Sequence, residues 1–192
     1  MSAMRTTSKK HMKRKTAGEG RIVFVTGGAR SGKSSFALSE ALKITGKKAF
    51  LATAEATDKE MEDRIKRHRR DRGSRWKTFE EPLHIARLME DIDTQCSVAI
   101  IDCLTLWLAN VMMSGLDAEK ETDRLMSALK AMRRSRVFIV SNEVGMGIVP
   151  ENELARRFRD MAGMLNQKVA AVADEVYLVV AGIPVRIKGE EK

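Results

Sequence analysis

The residues with the clearest chemical potential form a glycine-rich loop near the start of the chain. Residues 27–34 read GGARSGKS and fit G-x-x-x-x-G-K-[ST] at every fixed position. Glycines let such a loop fold tightly, so that backbone N–H groups point at phosphate oxygens and Lys33 reaches the β- and γ-phosphates. The Ser34 hydroxyl is the group that this pattern offers to Mg²⁺. The loop therefore predicts a nucleoside triphosphate site.

The loop needs a strand before it and a helix after it, and the surrounding sequence supplies both. A continuous apolar run at 22–25 precedes the loop, which is typical of a strand buried on both faces. Similar runs predict further strands at 49–52, 98–101, 137–140 and 176–180, with a last short strand at 185–187. Helical spacing of apolar residues falls between them, at about 33–45, 58–72, 81–92, 103–113, 118–135 and 151–173.

This alternation predicts an α/β fold of the P-loop NTPase type. The central sheet should be mostly parallel, with helices on both faces. Only a Gly-Ile-Pro connection separates the last two strands, which predicts an antiparallel hairpin at one edge near the C-terminus. We expect one catalytic domain over 21–192, because no linker or internal repeat divides that stretch.

A carboxylate follows one of the buried strands. Asp102 comes directly after the apolar run at 98–101. Open α/β sheets bind ligands at the carboxyl ends of their strands, so we expect Asp102 to face the phosphate loop and to hold the metal with Ser34. An ordinary role for Asp102, capping the next helix, fits the sequence as well.

One histidine lies in a strongly basic helical segment. Met61, Ile65 and His68 share one helical stripe, and Arg64 and Arg72 lie four residues to either side of His68. Flanking guanidinium groups disfavour a charged imidazole and would leave His68 neutral and nucleophilic near pH 7. A solvated helix face that carries one histidine is the competing interpretation. His84 has no such surroundings, and we expect a structural role for it.

A second glycine-rich segment follows the strand at 137–140. It reads SNEVGMGIVP over 141–150 and precedes a long helix, so Asn142 and Glu143 should lie on the same edge as the phosphate loop. These two side chains either meet the substrate or the water shell of the metal, or they belong to a structural turn. A charged cluster on the following helix (Arg156, Arg157, Arg159 and Asp160) fits either a subunit interface or a phosphate contact.

Charge and composition exclude several classes of protein. The 192-residue chain carries a formal charge of +9, but its first 20 residues hold six Lys/Arg against one acid, so the other 172 residues carry only +4. That first segment has almost no large apolar residues, and we expect a disordered basic tail over 1–20. The chain's two cysteines, Cys96 and Cys103, exclude a disulfide framework and a four-ligand zinc site. No apolar run is long enough to span a bilayer, so we expect a cytoplasmic protein without membrane insertion.

Taken together, these segments resemble one enzyme family. The landmarks are VTGGARSGKS at 25–34, LATAEATDKEMEDRIKRHRRDR at 51–72, WKTFEEP at 76–82, IIDCLTLWLANVM at 100–112, and the stretch 140–188. From Val23 to Lys188 the chain resembles the bifunctional adenosylcobinamide kinase / adenosylcobinamide-phosphate guanylyltransferase family of cobalamin biosynthesis. The RIxxHxxxR helix and the SNEVGxGIVP segment are its most specific parts, because the phosphate loop alone is generic.

The resemblance implies two successive reactions. The first phosphorylates the aminopropanol hydroxyl of adenosylcobinamide with ATP or GTP. The second transfers GMP from GTP through a histidine-linked intermediate, giving adenosylcobinamide-GDP and pyrophosphate. The substrates implied are thus GTP, ATP, adenosylcobinamide and its phosphate, with Mg²⁺ as the metal. A homotrimer with active sites between subunits is implied as well.

The resemblance also assigns roles to residues. It makes His68 the nucleophile, with Lys33 as the second catalytic residue, and Arg67 stands where some relatives carry another histidine. The metal is assigned to Ser34 and Asp102. The nucleotide contacts fall on Gly27, Gly28, Ala29, Arg30, Ser31, Gly32, Lys33, Ser34, Ala52, Thr53, Ala54, Arg69, Arg70, Asp71, Arg72, Glu80 and Asp102.

Two alternatives remain beside this reading. One is a plain small-molecule kinase that uses only the phosphate loop and lacks the histidine step. The other is an NTP-binding module that binds nucleic acid through its basic tail. The modest charge of the core and an aromatic content of 5% argue against nucleic acid as a partner, because single-strand binding generally needs aromatic stacking platforms.

Overall fold

A computed structural model describes residues 20–55, 59, 63, 70, 73 and 75–189 of the protein. The predicted tail lies outside these residues, except for Gly20. Gly20 is buried, and its backbone N–H donates a hydrogen bond to the carbonyl of Arg133.

The described residues form a seven-stranded sheet. Its strands are β1 (Arg21–Thr26), β2 (Lys48–Ala52), β3 (Trp76–Glu80), β4 (Val98–Asp102), β5 (Arg136–Val140), β6 (Glu175–Val180) and β7 (Ile183–Lys188). They are ordered β3-β2-β4-β5-β1-β6-β7 across the sheet. All neighbouring pairs are parallel except β6 and β7, which are antiparallel. The predicted parallel sheet with an antiparallel edge hairpin is confirmed.

Helices cover both faces of the sheet, as predicted. Their bounds are α1 (Lys33–Leu42), α2 (Met89–Gln95), α3 (Leu104–Met113), α4 (Ala118–Ala131) and α5 (Glu153–Val172), with a 3₁₀ turn at Ile85–Leu88 before α2. Helix α1 packs on one face through Ala37 and Ala41, together with Val23, Val25 and other strand residues. Helices α2 to α5 pack on the opposite face around the fully buried Trp107.

The sequence missed one strand, β3. Of its five residues only Trp76 is buried, whereas Lys77, Thr78 and Glu80 are exposed. Because β3 is an edge strand that pairs only with β2, its outer side needs no continuous apolar run. A search for uniformly apolar strands therefore passes over it.

The helix predicted at 81–92 begins later than expected. One carboxylate oxygen of Glu81 accepts the backbone N–H groups of Leu83 (3.0 Å) and His84 (2.8 Å), so a turn occupies residues 81–84. The 3₁₀ turn and α2 follow, and α2 ends at Gln95. The predicted helix at 58–72 lies mostly outside the described residues. Within it, Lys59, Asp63 and Arg70 have helical backbone and are exposed.

Candidate functional site

The phosphate loop has the conformation that its glycines were expected to permit. Gly27 has φ +149° and Gly32 has φ +98°, and both values disfavour a side chain. Arg30 adopts the left-handed region as well, with φ 56°. The Ser31 N–H donates to the carbonyl of Gly28 at 3.2 Å, which closes the loop.

The turn between β6 and β7 holds the loop from one side. A Cβ atom on Gly27 would lie 2.3 Å from the carbonyl oxygen of Val179, and one on Gly32 would lie 3.2 Å from the Cα of Gly182. The Gly182 N–H donates to the carbonyl of Ser31 at 2.9 Å. The hairpin predicted at the sheet edge thus supports the loop directly, and both glycines are needed for close approach as well as for φ.

Lys33 is folded back over the loop. Its side chain is buried, and Nζ donates to the carbonyl of Gly28 at 2.6 Å. The ammonium group is thereby held against the loop whose N–H groups are expected to bind phosphate oxygens.

Helix α1 presents an open N-terminus beside the same loop. Gly32 is its N-cap, no side chain caps the first turn, and that turn contains no acidic residue. The first N–H groups of a helix have no intrahelical partner, and the helix dipole makes this end favourable for anions. Loop, lysine and helix end together form an anion site suited to the phosphates of a nucleotide.

The predicted site residues of the strands lie in one row at the carboxyl edge of the sheet. The register aligns Glu80 with Ala52, Ala52 with Asp102, Asp102 with Val140 and Val140 with Val25. Neighbouring strands are about 4.8 Å apart, so Asp102 is about 10 Å from the end of β1. This edge is where ligands bind in open α/β sheets.

Asp102 points to the side of the sheet that α1 covers. Side chains alternate along a strand, and Val98 and Ile100 of β4 pack with Ala37 and Ala41 of α1. Asp102 continues that alternation and is half-buried. Within the described part of the chain, neither its carboxylate nor the Ser34 hydroxyl has a hydrogen-bond or ion-pair partner.

These two oxygen groups fit the requirements of Mg²⁺. Among the described residues, no cluster of three or more His, Cys, Asp or Glu side chains forms a self-sufficient metal site. Mg²⁺ does not need one, because it keeps several waters and binds through one or two protein oxygens together with substrate phosphates. The donor set therefore suits a metal that arrives with a nucleotide.

Thr53 has a structural contact that the sequence did not reveal. It is fully buried, and its hydroxyl donates to the carbonyl of Cys103 and accepts from the Cys103 N–H, both at 2.8 Å. The carbonyl of Thr53 accepts from Nδ2 of Asn110 at 2.8 Å. Thr53 thus joins the carboxyl ends of β2 and β4 and fixes Ala52 and Ala54 beside Asp102.

The segment after β5 meets the phosphate loop on its other side. The Glu143 N–H donates to the carbonyl of Gly27 at 2.9 Å, and the Ser141 N–H donates to the carbonyl of Val25 at 3.0 Å. Asn142 and Glu143 therefore lie on the predicted edge. The Arg156 side chain instead bonds the carbonyls of Pro150 and Glu151, and Arg159 pairs with Asp160.

Cys103 follows Asp102 but is not a nucleophile. Burial, and after it the negative charge of Asp102, raises the pKa of the Cys103 thiol from 9.0 to about 11. The thiol is therefore protonated at neutral pH, and only a thiolate is a good nucleophile or metal ligand.

Several predicted site residues lie outside the described part of the chain. These are His68, Arg69, Asp71 and Arg72, and their assignment remains a prediction. Arg70 is described and exposed, and Glu80 is exposed at the end of β3. His84 is half-buried between Glu81 and Glu121, which agrees with the structural role expected for it.

Comparison with known proteins decides the family. Residues 23–187 match the family described as cobinamide kinase / cobinamide phosphate guanyltransferase. The chain belongs to this family. It is 41% identical over 170 residues to the bifunctional adenosylcobalamin biosynthesis protein CobP of Pseudomonas aeruginosa, covering 86% of this chain and 96% of that protein. It is 40% identical over 183 residues to the bifunctional adenosylcobalamin biosynthesis protein CobU of Escherichia coli, covering 87% and 99%.

Two solved structures share the fold of this chain at low sequence identity. The flagellar accessory protein FlaH of Methanocaldococcus jannaschii has a TM-score of 0.51 and 12% identity, covering 90% of this chain and 80% of that one. An ATPase of a bacterial type III secretion system has a TM-score of 0.55 and 12% identity, covering 88% and 57%. At this identity the likeness concerns the fold alone.

Proposed function

We propose that the protein phosphorylates adenosylcobinamide with ATP or GTP and then transfers GMP from GTP to the product, giving adenosylcobinamide-GDP. The family's description names both activities, and relatives matched over nearly their whole length are named bifunctional. The observation that carries the proposal is the phosphate loop, held between the β6–β7 turn and the segment after β5, with Lys33 folded over it.

The loop accounts for binding of the phosphates. Its N–H groups and the end of α1 bind the phosphate oxygens, and Lys33 moves from the Gly28 carbonyl to the β- and γ-phosphates. In phosphoryl transfer, positioning and charge neutralisation supply most of the catalysis, so these groups are sufficient to hold the nucleotide in line with an acceptor. Further contacts to the nucleotide are proposed for Ala52, Thr53, Ala54, Glu80 and residues 69–72, with the arginines of that segment at the α-phosphate.

Mg²⁺ is proposed as the metal, held by Ser34 and Asp102. When bound with the nucleotide, it supplies charge neutralisation on the phosphate oxygens. Ser34 lies in the first turn of α1, and Asp102 points to the face that α1 covers. Their contribution is to place two uncommitted oxygens on one side of the loop.

His68 is proposed to carry the GMP in the second reaction. Its imidazole attacks the α-phosphorus of GTP, and pyrophosphate leaves. The phosphate group of the first product then attacks the same phosphorus and releases His68. Dividing the exchange into two displacements requires one good nucleophile and a clamp of positive charge, which the basic segment 64–72 offers.

A homotrimer is proposed from the family resemblance, and the distribution of apolar surface supports an interface. Of the eleven large apolar side chains that are exposed among the described residues, nine lie between positions 146 and 187. A contiguous patch of exposed apolar side chains marks an interaction site, so these nine residues are the candidates for a subunit interface. Sedimentation velocity of the full chain measures the oligomeric state directly.

The remaining proposals concern the domain and the location. We propose one catalytic domain over 21–192, preceded by the tail, in the cytoplasm. Among the described helices, none combines the length and the apolar character of a membrane span. Cys96 and Cys103 are both buried free thiols, as a reducing compartment allows.

The two reactions can be separated by the position of the label. With γ-labelled ATP, label is expected in adenosylcobinamide phosphate. With α-labelled GTP, label is expected in adenosylcobinamide-GDP only after the first product has formed. Phosphorylation without any transfer of GMP would identify a plain kinase instead, and no transfer of either label would overturn the proposal.

A further inference from the structure

Side chains from two helices hold the turn after β5. The Asn142 N–H donates to the hydroxyl oxygen of Thr105 at 2.7 Å, and Nδ2 of Asn166 donates to the Asn142 carbonyl at 3.2 Å. Thr105 belongs to α3 and Asn166 to α5, and both side chains are buried. The Thr105 hydroxyl also lies 3.2 Å from the Ser141 hydroxyl. The N–H and the carbonyl of Asn142 are therefore both fixed by helices on the face of the sheet that α1 does not cover.

The next residue, Glu143, is tied to the phosphate loop. Its backbone N–H donates to the carbonyl of Gly27, the first residue of the loop, at 2.9 Å. Its Oε1 accepts the Gly145 N–H at 2.6 Å, and the described residues provide no partner for Oε2. The half-buried Glu143 side chain thus has one carboxylate oxygen anchored and one without a partner among the described residues, and its backbone is bonded to the loop.

The proposed kinase reaction needs a group of this kind. An alcohol must lose its proton as its oxygen attacks the γ-phosphorus, and a positioned carboxylate is a suitable acceptor. Asp102 is at the end of β4, which β5 separates from β1 and the loop, and Asp102 is already assigned to the metal. Asp174 and Glu175 lie at the opposite, amino edge of the sheet.

We propose that Glu143 is the general base of the kinase step, and that Thr105 and Asn166 are positioning residues that act through Asn142. The proposal rests on the kinase function proposed above. The substrate O–H bond breaks and its proton passes to Oε2 of Glu143. The alcohol oxygen forms a bond to the γ-phosphorus, and the electrons of the breaking P–O bond leave with the nucleoside diphosphate.

This assignment predicts that the two reactions respond differently to changes at Glu143. Attack by a neutral imidazole on GTP removes no proton from an alcohol, so formation of the histidine–GMP intermediate does not need the base. Glu143→Gln should lower kcat for phosphorylation of adenosylcobinamide by about 10²–10⁴-fold, the usual contribution of general-base catalysis. Labelling of the enzyme by α-labelled GTP should stay close to the wild-type level.

The phosphorylation rates of two Glu143 variants distinguish a general base from a residue that only caps the turn. The amide oxygen of Glu143→Gln still accepts the Gly145 N–H, whereas Glu143→Asp shortens the side chain but keeps a carboxylate. A base predicts that the Asp variant phosphorylates faster than the Gln variant, and a structural cap predicts the reverse. Thr105→Val should lower the kinase kcat and leave the KM for ATP nearly unchanged. The substitution displaces the base but leaves the loop's phosphate-binding groups in place.

Glu151→Gln is the matched control, since Glu151 is an exposed carboxylate between the same turn and α5. It should phosphorylate at the wild-type rate. If the wild type transfers phosphate and Glu143→Gln does so equally well, or faster than Glu143→Asp, the assignment of Glu143 is overturned while the kinase function stands. A wild-type protein that transfers no phosphate would overturn the kinase function itself.

Discussion

The two edges of the sheet differ in how many of their polar groups lack a partner. At the carboxyl edge, Ser34 and Asp102 have no hydrogen-bond or ion-pair partner within the described residues, and Oε2 of Glu143 has none either. At the amino edge the carboxylates are paired. Asp93 accepts three backbone N–H groups at 2.8–2.9 Å, and Glu175 accepts from Arg136 and from the Tyr177 hydroxyl.

This difference separates chemistry from stability within one sheet. Polar groups left without partners lower stability or contribute little to it, so an edge that retains them is suited to bind a ligand. Carboxylates that accept several hydrogen bonds fix loops and helix ends instead. Substitutions at the carboxyl edge should therefore change activity more than stability, and substitutions at the amino edge should do the reverse.

The largest effect is expected at the phosphate loop. Lys33→Ala should lower kcat/KM for nucleotide-dependent phosphorylation by at least about 10²–10³-fold, because a preorganised positive group is lost from the transferring phosphates. The melting temperature should change little. Lys43→Ala, at the far end of α1, is the control and should keep wild-type activity. Normal phosphorylation by a folded Lys33→Ala protein would show that Lys33 and its loop are not part of the catalytic site.

Thr53 is a predicted nucleotide contact at the carboxyl edge that also stabilises the fold. Thr53→Val removes a hydroxyl that serves both backbone groups of Cys103, so it should lower the free energy of unfolding by about 1–3 kcal/mol. Thr53→Ser keeps the hydroxyl and should lose less. Urea denaturation of both variants measures the difference. Equal stability of the Val variant and the wild type would show that the hydrogen bonds between Thr53 and Cys103 do not stabilise the fold.

A smaller loss of stability is expected at the amino edge. Asp93→Asn replaces an acceptor of the Arg133 N–H by a donor and should lower the free energy of unfolding by about 1–2 kcal/mol, with activity unchanged at 25 °C. Asp91→Asn, an exposed neighbour on α2, is the control. An Asp93→Asn protein that retains its stability but loses turnover would reverse the proposed division between the edges.

The stability of the wild type relative to Asp93→Asn should depend on pH in the acidic range. Burial acts to raise the pKa of Asp93, but hydrogen bonds from the N–H groups of Ser135, Arg133 and Arg134 outweigh it and lower this pKa below its ordinary value of 3.8. The stabilisation is therefore complete above about pH 4 and is lost as the pH falls through the lowered pKa. The stability difference between wild type and Asp93→Asn should shrink over that acidic range only. A difference that already closes between pH 7 and pH 5 would contradict the cause given.

The smallest effect is expected at Cys103, despite its position next to Asp102. With a pKa of about 11, its buried thiol should resist iodoacetamide at pH 8 in the folded protein, and Cys103→Ala should keep wild-type turnover. Unfolding should expose two reactive thiols, those of Cys96 and Cys103. Rapid alkylation of Cys103 with loss of activity in the folded protein would place a reactive thiol in the site.

The sequence was sufficient for the fold where local patterns determine structure. Strands β1, β2, β4 and β5 appear as apolar runs because both of their faces are covered, and Gly27 and Gly32 are recognisable because the loop motif fixes their spacing. Strand β3 was missed because Trp76 is its only buried residue. The hydrogen bonds that link the Asn142 backbone to Thr105 and Asn166 could not be predicted, since they depend on the approach of two helices that are distant in sequence.

Labelling of His68 tests the central claim most directly. Wild-type protein incubated with α-labelled GTP and Mg²⁺ should acquire a covalent label that is labile in acid and comparatively stable in base, as a histidine phosphoramidate is. The His68→Ala protein should acquire none, yet it should still phosphorylate adenosylcobinamide with ATP, because that step needs the phosphate loop and not the histidine. Undiminished label on the His68→Ala protein would contradict the assignment of the nucleophile, and a wild-type protein that phosphorylates normally but never acquires label would contradict the guanylyltransferase half of the function.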